Sequence, residues 1–245
     1  VKDAGTWDIL DRAHGSRVLV ALPGAMGNAD VFEPLFAALP AGIRAIAVSP
    51  PAIPDARELA ALLVALLRER GVERMTLLGT SFGGYVAQFA ALLAPDLIEM
   101  LVLANTFSDP ALNPKRRDPA DVNAEDADAM HAAAAERVRS GPPTATRDAL
   151  LAQLAEQSPQ TFKARALALA RGGAVPAVPV AVDRIGIIDT ADDPVIAPPL
   201  RADLLARYAG ARHVTLASGG HYPYLADPAG YAAALAEVTS SWVPS

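Results

Sequence analysis

The chain has 245 residues, 52% of them hydrophobic and 5% aromatic, with a formal charge of −6 at pH 7 and no cysteine. That length suffices for one large domain with an aliphatic core. The acidic balance argues against nucleic-acid or anionic-membrane binding, and the lack of cysteine excludes disulfides, thiolate metal sites and a cysteine nucleophile.

In chain order, "VKDAGTWDIL" shows no basic region followed by an apolar core, so no signal peptide is visible and a cytoplasmic location is the expectation. "SRVLVALPG" (16–24) reads as a buried strand running into a Pro-Gly turn. "NADVFEPLFAAL" (28–39) places Val31, Leu35, Phe36 and Leu39 on a helical stripe, and "GIRAIAVSPP" (42–51) is strand-like. Residues 55–70 form a helix with Leu59, Leu62, Leu63, Leu66 and Leu67 on one side, stopped by Gly71. This stretch holds the longest apolar run, near 59–67, which is too short to span a bilayer. A strand at 74–79, a helix at 82–94 and a strand at 98–105 follow. Such alternation, with strands that are continuously apolar, predicts an α/β domain around a mostly parallel sheet.

The rhythm breaks after residue 105. Residues 106–120 read as a loop, and 122–139, 146–157 and 161–171 as helices. An insertion of this length without a strand is too long for an ordinary loop. Residues 106–179 are therefore expected to form a helical lid over the functional edge, with the core domain built from 1–105 and 180–245. Strands at 180–189 and 212–217 and helices at 198–209 and 228–239 complete the chain.

The chemistry centres on "TLLGTSFGGYVAQFA" (76–90), where Ser81 lies between Gly79 and Gly83 at the junction of a strand and a helix. A serine hydroxyl is a weak nucleophile until a base takes its proton. A sharp strand-to-helix turn exposes it and aims a helix N-terminus at the reaction, and its tightness demands small residues two places to either side. The base should be a histidine later in the chain. Of His14, His131, His213 and His221, only His221, in "ASGGHYPYL", occupies a turn after the last strand. The acid that orients it should come from "IIDTADDPVI", where Asp192 and Asp193 follow the strand and Asp189 ends it. Backbone amides should hold the oxyanion: Phe82, directly after the serine, and Ala25, with Met26 its alternate, in "LPGAMGNADVF". Met26, Phe107 and Tyr224 are candidate substrate-lining residues.

These segments resemble the α/β-hydrolase fold over nearly the whole length. Within that superfamily, "GNADVFEPLFAAL", "LLGTSFGGYVAQ", "LVLANTFSD" and "GARHVTLASGGHYPYL" look most like the maspardin group. The resemblance implies a Ser-acid-His triad. It aligns Asp192 with the group's acid, whereas the spacing to "DPVI" favours Asp193, and Asp192 is ranked first by a small margin. Asp109 is a further option, because some enzymes of this fold take the acid one strand earlier. Many members of the superfamily carry His-Gly where this chain has Pro23-Gly24, a histidine that supports the oxyanion turn.

The combined expectation is a serine hydrolase, in particular a carboxylesterase, acting on a small uncharged or lipophilic acyl compound without cofactor or metal. The maspardin resemblance also implies an alternative, a binding protein on a hydrolase scaffold with a protein partner, since members with Asn at the place of His221 are suspected of that role. A lyase or cyclase using the same site is the third reading.

Overall fold

The computed structural model describes residues 6–12 and 15–239. Seven strands form one sheet: β1 (Asp8–Arg12), β2 (Arg17–Leu22), β3 (Ile43–Ser49), β4 (Met75–Thr80), β5 (Ile98–Ala104), β6 (Ile185–Thr190) and β7 (Arg212–Leu216). Their spatial order is β1-β3-β2-β4-β5-β6-β7. All neighbours are parallel except β1 and β3, so the α/β class and the mostly parallel sheet are as expected.

Helices α1 (Glu33–Ala38), α2 (Ala56–Glu69) and α3 (Phe82–Leu93) alternate with the first five strands. Between β5 and β6 lie α4 (Pro119–Ala124), α5 (Ala127–Arg139), α6 (Ala145–Glu156) and α7 (Pro159–Arg171). Helices α8 (Pro198–Arg207), α9 (Pro223–Ala226) and α10 (Pro228–Thr239) complete the chain.

The period-2 alternation of a strand distributes the core between the two faces of the sheet. Val20 and Leu22 of β2 join Leu59 and Leu63 of α2 in one layer, whereas Leu19 and Ala21 join Leu35 of α1 and Leu235 of α10 in the other. β4 is buried along its whole length. Helix α3 is buried from Phe82 to Ala91, which is why its sequence is apolar on every side. Helix α2 is amphipathic instead and starts at Asp55, whose carboxylate accepts the amides of Arg57 and Glu58 at 2.8 and 3.0 Å.

Four details differ from the sequence reading. Strand β1 was not expected, since a half-exposed edge strand with Asp8 and Asp11 lacks an apolar run; Asp11 there pairs with Arg44 of β3 at 2.6 Å. β6 begins at Ile185, after a 3-10 turn over Val182–Arg184, so residues 180–184 are not strand. The single helix expected over 122–139 is two, because Asp126 adopts an extended conformation and caps α5 through the amide of Ala129. Leu62 is exposed, and Val64 takes a buried place on α2.

With the strands parallel, the loops after β2, β4, β5, β6 and β7 gather at one edge, where ligands bind in open α/β sheets. No helix among the described residues is long and apolar enough to cross a membrane.

Candidate active site

Ser81 follows β4 at φ 51° and ψ −119°, a conformation that costs a side-chain-bearing residue and persists only when its surroundings impose it. The amides of Gly84 and Tyr85 and the hydroxyl of Thr106 all donate to its carbonyl. The flanking glycines are required by contact. A Cβ on Gly79 would stand 2.5 Å from the carbonyl oxygen of Gly83, and one on Gly83 would stand 2.2 Å from that of Leu22. The serine therefore sits between glycines because the chain crosses itself there, and the crossing leaves its side chain lining a cavity of about 290 Å³.

His221 lines the same cavity. Its Nδ1 lies 2.9 Å from Oδ2 and 3.1 Å from Oδ1 of Asp193, and the two side chains are 5% and 7% exposed. A carboxylate at Nδ1 selects the neutral tautomer that carries its proton there and keeps the Nε2 lone pair. Burial alone would raise Asp193, but the hydrogen bond and charge of His221, with donors from Asn105 and the amide of Val195, outweigh it and hold the carboxyl at about 2. Asp192 does not reach the imidazole. It accepts the amides of Gly219 and Gly220 at 3.3 and 2.8 Å and so clamps the turn that carries His221.

Asn105, at the end of β5, was not singled out from the sequence. It is buried, has φ 42°, and its Nδ2 donates to Asp193 Oδ2 at 2.8 Å and Thr190 Oγ1 at 3.0 Å. The Thr190 hydroxyl donates in turn to the carbonyl of Gly220. The acid turn and the histidine turn are thereby tied together through β5 and β6.

The remaining candidates lie elsewhere. Asp109 caps a 3-10 turn by accepting the amide of Ala111 at 2.9 Å. Asp189 holds Arg201 at 2.8 Å and His213 at 3.0 Å across the β6–β7 edge. His131 packs edge-on against Phe162 between helices α5 and α7. His14 lies outside the described residues.

The turn after β2 is held from above. The fully buried Arg165 of α7 donates through Nη1 to the carbonyls of Gly24 and Ala25, both at 3.1 Å, and Gly27 at 2.6 Å, and through Nη2 to Pro50 at 3.3 Å. Gln157 adds a bond to the carbonyl of Ala25 at 3.1 Å, and the side chain of Gln153 accepts the amide of Asn28 at 2.8 Å. Burial pulls the guanidinium down to about 9, so it stays charged at neutral pH, facing carbonyls rather than a carboxylate. The amides of Phe82 and Ala25 donate to no other described residue.

Met26 and Phe107 line the cavity. Tyr224 does not: it is 2% exposed and packs on Phe32 with ring centroids 5.1 Å apart. Two residues earlier, at the N-cap of α9, Tyr222 lines the cavity in its place, and its hydroxyl donates to the sulfur of Met26 at 3.7 Å. Among the described residues no cluster of His, Asp or Glu is placed to hold a metal ion.

The comparisons agree with this architecture. No curated protein matches the sequence. Among solved structures, an esterase from Exiguobacterium antarcticum is 21% identical with a TM-score of 0.79, covering 96% of both chains. The enol-lactonase of Burkholderia xenovorans LB400 is 17% identical with a TM-score of 0.75, again over 96% of both. A hydrolase from Pseudomonas aeruginosa PA01 is 25% identical with a TM-score of 0.70, over 94% of this chain and 92% of the other. The model of the alpha/beta hydrolase family matches residues 18–234, and the chain belongs to that family.

Proposed function

We propose that the protein is a serine hydrolase that cleaves a carboxylic ester or a related acyl bond through Ser81, His221 and Asp193. One observation carries the reading: a buried imidazole, fixed at Nδ1 by Asp193, opens on the same cavity as a serine held in a strained turn.

In this mechanism His221 Nε2 takes the proton of Ser81 as Oγ attacks the acyl carbon. The amides of Phe82 and Ala25 hold the resulting oxyanion, and Asp193 stabilises the imidazolium. Collapse expels the leaving alcohol or thiol with the proton from His221. Water, deprotonated by the same nitrogen, then attacks the acyl-serine and releases the acid. Residues 106–179 act as a helical lid, supplying Val122, Ala166 and Leu169 to the cavity wall and Arg165 to the oxyanion turn. Of the two acids, Asp193 is assigned to the triad and Asp192 to the support of the histidine turn.

The resemblance to the maspardin group allows a non-catalytic binding protein on the same scaffold. The buried His221–Asp193 pair favours the enzyme, since a binding protein has no use for an oriented base. Intact mass after incubation with a fluorophosphonate, with Ser81→Ala as control, tests the reading. One adduct on the wild type alone is the expected result. A folded wild type that stays unmodified while hydrolysing no ester would overturn it.

A further inference from the structure

The loop between β5 and α4 places Lys115, Arg116 and Arg117 in a row along the cavity that Ser81 and His221 also line. Among the described residues no Asp or Glu lines it, although the chain as a whole has 27 acids to 21 Lys and Arg. The loop has a set shape. Asn113 Oδ1 accepts the amide of Lys115 at 2.9 Å, and its carbonyl accepts that of Arg116 at 2.9 Å.

The three cations are not equivalent. Arg117 is neutralised by Glu125 at 2.6 Å. Arg116 is fastened through Nε and Nη2 to the carbonyl of Ala170 and through Nη2 to that of Gly172, so its position is fixed with no carboxylate of a described residue to balance it. The Lys115 ammonium makes no hydrogen bond or ion pair with any described residue, since that residue's one bond is through its backbone amide. Two charges thus remain unbalanced beside an otherwise apolar cavity that includes Leu169, Val195 and Leu200. A cation beside low-dielectric walls attracts an anion more strongly than one in open water.

Resting on the serine-hydrolase reading above, we infer that the acyl compound this cavity takes is amphipathic and anionic. An apolar segment runs from the reacting carbonyl to a carboxylate or similar anion that Lys115 and Arg116 hold. The apolar wall keeps the lipophilic part of the sequence expectation, and the loop replaces the uncharged part.

Two matched ester pairs test this with the full chain. In one the acyl side is charged: the mono-p-nitrophenyl ester of adipic acid against p-nitrophenyl hexanoate. In the other the leaving side is charged: 4-butanoyloxybenzoate against its primary amide. The anionic member of at least one pair should lead in kcat/KM by roughly tenfold. That lead should shrink between about 20 mM and about 0.5 M salt. It should also fall several-fold in Lys115→Ala and Lys115→Glu, and remain in Arg74→Ala, whose charge lies before β4 at the opposite edge of the sheet. If Ser81 is labelled and the neutral esters are hydrolysed as well as the anionic ones, the anion proposal is overturned while the hydrolase reading stands. If Ser81 stays unlabelled and neither pair is hydrolysed, both fall.

Discussion

Arg165 Nη1 donates to the carbonyl of Gly27 at 2.6 Å, a bond from the helical insertion to the turn after β2 across 138 positions of sequence. The same nitrogen reaches the carbonyls of Gly24 and Ala25. Each bond fixes a peptide plane, and the amide of Ala25 belongs to one of those planes. An amide is effective on an oxyanion only if it is aimed before the charge develops. On the proposed mechanism Arg165 is thus a positioning residue, acting on the oxyanion through the turn that carries Ala25.

Replacing Arg165 by Met keeps much of the volume and removes the donors. We expect kcat for an ester substrate to fall about 100-fold, the scale of a lost oxyanion donor, with KM changed by less than about threefold. Steady-state kinetics on the folded variant give the answer. A loss confined to KM would show that the turn binds substrate without holding the oxyanion.

The two adjacent acids should separate cleanly. Asp193→Asn removes the carboxylate at Nδ1 and with it the tautomer preference, and kcat should fall about 10⁴-fold. Asp192→Asn weakens two hydrogen bonds to the amides of Gly219 and Gly220, and kcat should fall no more than about tenfold, the worth of such bonds. Ester kinetics on both variants would reverse the assignment if Asp192→Asn proved the more damaging.

That contrast shows how far the sequence could be read. The serine turn was legible because its demands are local: two glycines at fixed offsets and a strand-to-helix junction. His221 was legible by elimination, as the one histidine in a turn after the last strand. Choosing between Asp192 and Asp193 needed the fold, since the spacing to "DPVI" and the family resemblance point to different residues, and a partner 28 residues away decides which one meets the imidazole. The same limit applied to Tyr222 and Tyr224. Arg165 was hidden most completely. Arg165 shares α7 with Lys163 and Arg171, so by pattern it reads as part of a solvated face, and only the packing of α7 onto the turn after β2 makes it a buried cation. Asn105 carried a faint signal: asparagine tolerates the left-handed backbone that ends β5.

The depressed Asp193 carboxyl also makes a stability prediction. Its pKa falls from the ordinary 3.8 to about 2 in the folded protein. A carboxyl depressed by folding contributes stability that is fully present above its unfolded value and is lost as pH falls through the folded one. The contribution is about 2 kcal/mol and should disappear between roughly pH 4 and pH 2. Urea unfolding of wild type and Asp193→Asn at about pH 5 and about pH 2 measures it. The difference between them should shift by about 2 kcal/mol against the wild type at the lower pH. An unchanged difference would mean that Asp193 is not held in its charged form by His221.

The crossing of chain at the serine turn predicts a cost that falls on folding as well as on activity. A methyl at position 83 would stand 2.2 Å from the carbonyl oxygen of Leu22 and 2.7 Å from that of Pro23. Both are backbone atoms, one ending β2 and the other entering the turn that holds Ala25, so neither can rotate away as a side chain would. Relief requires α3 to move off the sheet, and α3 is buried along its first ten residues. Gly83→Ala should therefore destabilise the protein by about 3 kcal/mol, and the surviving folded fraction should react more slowly with a fluorophosphonate, because the displacement passes directly into the turn that carries Ala25. Urea unfolding and the labelling rate are to be read together. A variant with wild-type stability would show that α3 and β2 are not packed as closely as 2.2 Å implies, and would remove the physical reason for a glycine at that place.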